Sequence, residues 1–159
     1  MIKNCGLYLS LINAKHVGVL ASKRGFSAEA ANVLQSLSEA GIEYSKAEFR
    51  GECSKEEVER HTNDLMSAKP DCILAVGGGK LVDAGKCIAY RLNCQVGIIP
   101  TLASNDAPCS SISVLYTVDG VKDVVEYFPQ NPAFVIVDTE VIVNASERYL
   151  VAGIGDAMA

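Results

Sequence analysis

The stretch that most restricts the fold is Cys72-Ile73-Leu74-Ala75-Val76, an unbroken apolar run set between Pro70 and Gly77-Gly78-Gly79. A strand with one wet face alternates apolar and polar residues. A strand with no polar position is buried on both faces, as in the middle of a parallel sheet covered by helices. Residues 17–20, 42–49, 96–99 and 134–137 read as further strands. Helical patterns lie between them. Ser27 is placed to cap a helix running to about Ala40, with apolar positions at Ala30, Val33, Leu34 and Leu37 and with Gly41 to end it. Ser54-Lys55-Glu56-Glu57 has the form of a capping box, in which Ser54 takes the Glu57 amide and Glu57 reaches back. The helix it opens stops near Lys69, because Pro70 cannot continue it. Another helix runs over about 80–91, and Ser146 opens a last one. This alternation predicts an α/β fold: a Rossmann-like parallel sheet with flanking helices, right-handed crossovers and ligands at the C-terminal ends of its strands. Residues 114–117 and 124–127, joined across Asp119-Gly120, add a β-hairpin insertion.

At 159 residues, 49% hydrophobic and 21% charged, the chain is long enough to bury the core of one ordinary globular domain. Its net charge of −5 offers no electrostatic match to nucleic acid or to an anionic membrane. No apolar run is long enough to span a bilayer, and the start of the chain has no signal-peptide pattern, so the expected location is cytoplasmic. The six cysteines, Cys5, Cys53, Cys72, Cys87, Cys94 and Cys109, include no C-x-x-C pair. His16 and His61 are distant from them in sequence, so scattered reduced thiols are expected rather than a zinc cage.

Two loops carry the chemistry. Gly77-Gly78-Gly79-Lys80 joins the buried strand to a helix. Three glycines allow positive φ and close approach of a ligand, the new helix presents unpaired N–H groups, and Lys80 adds a charge, which together suit a phosphate. The segment fits neither a Walker A loop, since Lys80 and Cys87 stand at required positions, nor strict G-x-G-x-x-G, since Val82 takes the third glycine's place. A plain tight turn is the alternative, but a glycine triplet is costly without a use. The second loop, residues 100–110, gathers Thr101, Ser104, Asn105, Asp106 and Ser110 between two prolines after a strand. It suits a polyol or a ribose. It equally suits an Asx-type turn in which Asp106 only caps backbone.

These loops, together with Gly51-Glu52-Cys53-Ser54, Asn131-Pro132, residues 135–139 and Ala152-Gly153-Ile154-Gly155-Asp156-Ala157, resemble the glycerol dehydrogenase branch of the iron-containing (group III) alcohol dehydrogenase superfamily. The stretch Ser104-Asn105-Asp106-Ala107-Pro108-Cys109-Ser110 points most specifically to that branch. The resemblance implies NAD-dependent oxidation of glycerol or a related vicinal diol to the hydroxyketone by metal-assisted hydride transfer. It assigns Gly79, Lys80 and Asp83 to the cofactor pyrophosphate, and Thr101, Ser104, Ser110, Ile112 and Tyr116 to further cofactor contacts. Asp106 is assigned to the substrate diol and Asp156 to a zinc that two histidines of a following helical domain complete. Neither His16 nor His61 matches those ligands, so the zinc site is incomplete in this chain and no catalytic residue is assigned. On this basis residues 1–145 form a nucleotide-binding α/β domain, and 146–159 begin a helical metal and substrate domain otherwise absent. A truncated chain of this kind is expected to be inactive alone and to self-associate as a homo-oligomer through uncovered apolar surface. Without the resemblance, Asp156 reads as a surface carboxylate after Gly155. The branch often has an Asp after the first strand to meet the adenosine ribose. Ser22 stands there, followed by Lys23 and Arg24, which predicts relaxed discrimination between NAD and NADP. The competing expectation is an NAD(H)-binding module without catalysis that needs a partner chain. A dehydroquinate-synthase-like or glycerol-1-phosphate-dehydrogenase-like enzyme is disfavoured by Asp106-Ala107-Pro108-Cys109.

Overall fold

The computed structural model describes all 159 residues. A short 3-10 turn, Ile2–Asn4, leads into α1 (Cys5–Leu11), followed by β1 (His16–Ser22), α2 (Lys23–Phe26), α3 (Glu29–Glu39) and β2 (Glu43–Phe49). Next come α4 (Lys55–Met66), β3 (Cys72–Gly77), α5 (Gly79–Leu92) and β4 (Gln95–Pro100). The hairpin β5 (Ile112–Tyr116) and β6 (Lys122–Tyr127) precedes β7 (Phe134–Val135), α6 (Thr139–Val143) and α7 (Glu147–Met158). Five strands form one sheet in the order β2-β1-β3-β4-β7, and the strand pairs are parallel. The hairpin is a separate antiparallel pair. This is the Rossmann-like α/β architecture that the apolar run predicts.

Position in the sheet explains the pattern of each strand. β3 lies at the centre and all six of its residues are buried. β2 lies at an edge, where Glu43, Lys46 and Glu48 face solvent and Ala47 and Phe49 face inward; charges on an edge discourage pairing with another chain. Two apolar layers cover the two faces. One packs Leu9, Val33, Leu34 and Leu37 against Val17, Val19 and Leu74. The other packs Val58, Leu65, Val82 and Ile88 against Leu20, Ile73 and Ile98. In the second layer Gly85 lets α5 press on β3, since a Cβ there would lie 2.6 Å from that of Ala75.

Several local expectations are corrected. Ser27 caps nothing at an N-terminus; it closes α2, and α3 starts at Glu29 without a side-chain cap. Ser22 is the capping serine, its Oγ accepting from the Gly25 amide at 3.0 Å. Only half of the capping box forms: Ser54 Oγ accepts from the Glu57 amide at 3.2 Å, but Glu57 accepts from the Arg50 amide at 2.8 Å instead of reaching back. The α4 helix stops at Met66, and Lys69, at φ 47°, turns the chain toward Pro70. The last strand of the sheet is two residues long, not four. The hairpin closes through a three-residue loop, with Thr117 accepting from the Gly120 amide and Gly120 at φ 80°. Ser146 precedes α7 but makes no side-chain cap. No helix is long and apolar enough to cross a membrane.

Candidate functional site

The glycine turn sits at the C-terminal end of the central strand. None of Gly77, Gly78 and Gly79 has positive φ, so the expectation of a left-handed turn is wrong. Their use is close approach: a Cβ on Gly77 would lie 2.8 Å from Leu81, on Gly78 3.3 Å from Leu102, and on Gly79 2.7 Å from the Asn105 amide. No protein group accepts from the N–H groups of Gly78, Gly79 and Lys80. Three successive free amides at the head of a 14-residue helix make a seat for an anion. Lys80 is at its rim, exposed, ion-paired with Glu52 at 2.5 Å, and 5.8 Å from the centre of the Tyr116 ring.

The second loop is tied to this turn. Thr101 N–H donates to Gly77 O at 3.1 Å, Leu102 rests on Gly78, and Asn105 lies against Gly79. The Asx-type turn is real, but Asn105 makes it: its Oδ1 accepts from the Ala107 amide at 3.1 Å and its Nδ2 donates to Ser104 Oγ at 3.2 Å. The Asp106 carboxylate is exposed and makes no hydrogen bond or ion pair within the chain. Its amide donates to Asp156 Oδ2 at 3.0 Å, so the structure brings together the two acids singled out for substrate and metal. Helix α7 reaches this point through Gly153, where a Cβ would come 2.4 Å from Ala103 O. No group of three or more His, Cys, Asp or Glu side chains is arranged to hold a metal ion; Asp156 and Asp106 are two acids without imidazole or thiol partners. A complete catalytic zinc site does not fit these residues.

Beneath the surface lies a pair whose role sequence reasoning missed. Asp83 and Lys86 are both buried and ion-paired at 2.9 Å. Lys86 Nζ also donates to Ala107 O at 3.0 Å, to Ser110 O and Oγ at 3.4 Å each, and to Ile112 O. The Asp83 carboxylate accepts from the Val114 amide at 3.1 Å, and its own carbonyl accepts from Ser113 Oγ at 3.0 Å. Burial raises the Asp83 pKa, against the pull of Lys86. In this structure, therefore, Asp83, Ser110 and Ile112 are stitched together under the site. An Asp and a Lys three apart on the inward side of an otherwise apolar helix is the sequence signal for such a pair. Above them Lys80 lies near the Tyr116 ring, Thr101 is bonded to Gly77, and Ser104 meets the Asn105 that leans on Gly79.

An apolar groove of about 800 Å³ lies on the other side of the second loop, between Pro100, Leu102, Ile142, Tyr149 and Ile154. It includes none of Gly79, Lys80 and Tyr116, but shares with the amide seat Leu102 and Asn105, which rest on Gly78 and Gly79.

Residues 1–139 match the iron-containing alcohol dehydrogenase family. The chain belongs to that family. It is 47% identical over 118 residues to a glycerol dehydrogenase of Thermotoga maritima, a match covering 74% of this chain and 32% of that protein. It is 40% identical along all 159 residues to a glycerol dehydrogenase of Escherichia coli, of which it covers 43%. The crystal structure of glycerol dehydrogenase from Schizosaccharomyces pombe superimposes with a TM-score of 0.87 at 38% identity, covering 99% of this chain and 40% of that one. This iron-containing alcohol dehydrogenase chain thus spans less than half the length of the relatives it matches.

Proposed function

We propose that the chain is the nucleotide half of an enzyme that oxidises glycerol or a related vicinal diol to the hydroxyketone, with NAD as hydride acceptor. The observation that carries this is the row of free amides at Gly78, Gly79 and Lys80, opening beside the Asp106–Asp156 corner in a chain of this family. The amides and Lys80 bind the pyrophosphate. Thr101, Ser104 and Tyr116 flank the path from the turn to Asp106 and orient the rest of the cofactor, with Ser110 and Ile112 supporting that path. The unengaged Asp106 carboxylate accepts hydrogen bonds from the diol hydroxyls. Bound NAD supplies the carbon that accepts hydride, and holding that carbon near the diol is the chief contribution of this chain. A metal held by Asp156 would need its other ligands from outside the 159 residues.

Residues 1–145 then form the cofactor domain, and α7 is the first element of a second, helical domain. A second reading, an NAD(H)-binding module completed by a partner chain, draws on α7 itself. That helix buries none of its residues and leaves Leu150, Val151 and Ile154 in solvent. The first reading takes the chain as a cytoplasmic homo-oligomer; the second takes a different chain as the partner.

Fluorescence titration of the chain with NADH, with and without zinc, tests the assignment. Saturable binding unaffected by zinc is expected. Absence of binding overturns the cofactor assignment, and binding that requires zinc overturns the incomplete metal site.

A further inference from the structure

If the pyrophosphate lies on the turn after β3, the sheet order fixes where the adenosine ribose lies. In open parallel sheets the dinucleotide occupies the crevice at the C-terminal strand ends; an acidic residue there accepts from the ribose 2′-OH, whereas a nearby arginine accommodates a 2′-phosphate. The neighbours of β3 are β4 and β1. The β4 strand leads into the loop carrying Asp106, the substrate side, so the ribose falls to β1.

The end of β1 has no carboxylate. It is Ser22, whose Oγ is engaged by the Gly25 amide. Lys23 and Arg24 follow, both exposed. In the adjoining strand Phe49 pairs in register with Ser22, so Arg50 and Lys23 are the residues that follow the last matched pair. Arg50 is also exposed, and only its backbone amide is engaged, by Glu57. Five side-chain cations of the chain have ion pairs, namely Lys55, Arg60, Lys80, Lys86 and Arg91. Lys23, Arg24 and Arg50 are not among them. Lys46, in register with Val19 further back in the sheet, lies 5.8 Å from the Phe26 ring centre. The acids of this corner are Glu48, in register with Ala21, and Glu57, which accepts from the Arg50 amide and is ion-paired with Arg60. Three exposed cations without ion pairs, with the strand-end acid missing and Glu57 already held by Arg60, suit a phosphate dianion better than a ribose hydroxyl.

We propose that the paired ends of β1 and β2 form a 2′-phosphate seat, so that the chain takes NADP(H) as well as NAD(H). This rests on the cofactor assignment above. The seat would be built from Lys23, Arg24 and Arg50, with Ser22 leaving room where an aspartate would repel.

The test is titration of the 159-residue chain with NADH and with NADPH, followed by thermal melting of each variant to confirm folding. NADPH is expected to bind within about tenfold of NADH, with the steeper loss of affinity in salt. Replacing Lys23, Arg24 and Arg50 together by Ala should weaken NADPH about tenfold or more and leave NADH within about twofold. Ser22→Asp should move the ratio toward NADH by about tenfold. NADH binding with NADPH weaker by more than about tenfold overturns the seat but keeps the cofactor assignment. Equal losses for both nucleotides in the triple variant also overturn it. No binding of either nucleotide overturns the assignment and the seat together.

Discussion

Two corners at the C-terminal end of the same sheet are built in opposite ways. At the end of β3 the chain is anchored from below: α5 is buried from Leu81 to Ala89, and Lys86 ties the helix to Ala107, Ser110 and Ile112. At the end of β4, Asp106 and Asp156 meet in solvent, through one hydrogen bond donated by the Asp106 amide to the carboxylate of a helix that buries none of its residues. The amide seat is therefore a product of the core, whose geometry persists for as long as the domain is folded. The acid corner is a surface contact that needs further walls before it can exclude water or hold a metal.

Breaking the support under the first corner should have the largest effect. Lys86→Met leaves Asp83 buried without its partner and removes the donor that holds the second loop. Removing one partner of a buried pair costs roughly 3–5 kcal/mol, which urea unfolding will register as a large drop in midpoint. Adding Asp83→Asn to that variant should recover part of the loss. An unchanged midpoint would show that the stitch is not structural.

The seat itself is sharpened by Gly79→Ala. The new Cβ would meet the Asn105 amide at 2.7 Å, displacing the loop that leans on the turn. NADH affinity should fall about tenfold while the domain still melts cooperatively. A variant that binds as well as the parent contradicts close approach as the reason for glycine.

A third, smaller effect separates core from surface by pH. His61 is buried, with Nε2 3.1 Å from Glu57 Oε1 and 2.9 Å from Arg60 Nη2. Burial, reinforced by Arg60, lowers its pKa below the ordinary 6.5, despite the opposing pull of Glu57 and Asp64. The unfolded chain then takes the proton first. Stability from this group is complete above pH 6.5, falls as pH drops through 6.5, and goes on falling until the folded histidine titrates. Urea midpoints measured from neutral to mildly acid pH should show this loss, and His61→Gln should flatten it. Equal slopes in parent and variant would remove His61 as the source.

The smallest effect is expected at the other corner. Asp156→Asn should change stability by less than about 0.5 kcal/mol and leave NADH binding unaltered, as for an exposed side chain with one weak contact. A marked loss of NADH affinity would mean that the two corners are one site.

The centre of the fold was legible in the sequence because burial erases alternation: residues 72–76 read as an inner strand and are one, and the glycines after them read as a turn into a helix, although the positive φ expected of them is not found. The elements misjudged are those where two local solutions compete. Ser22 and Ser27 both precede helical patterns, and a four-residue helix between them took the first as its cap. Glu57 was free to reach back to Ser54, but Arg50, Arg60 and His61 converge on it from other directions. Short pieces such as α1 and α6 lack enough periodic positions to announce themselves. In the site, Asp106, Asp156 and the glycines were visible as residue types in loops. The role of Lys86 was not, because it depends on carbonyls 21 to 26 residues away being folded over it.

The central claim is that the nucleotide seat is complete within these residues. Amide chemical shifts of the nitrogen-15-labelled chain, followed during NADH addition, test it most directly. The account predicts that the Gly78, Gly79 and Lys80 amides shift together and saturate, with Gly153 and Asp156 little moved. Saturable shifts confined to α7, or no shift at the glycine turn, would contradict it.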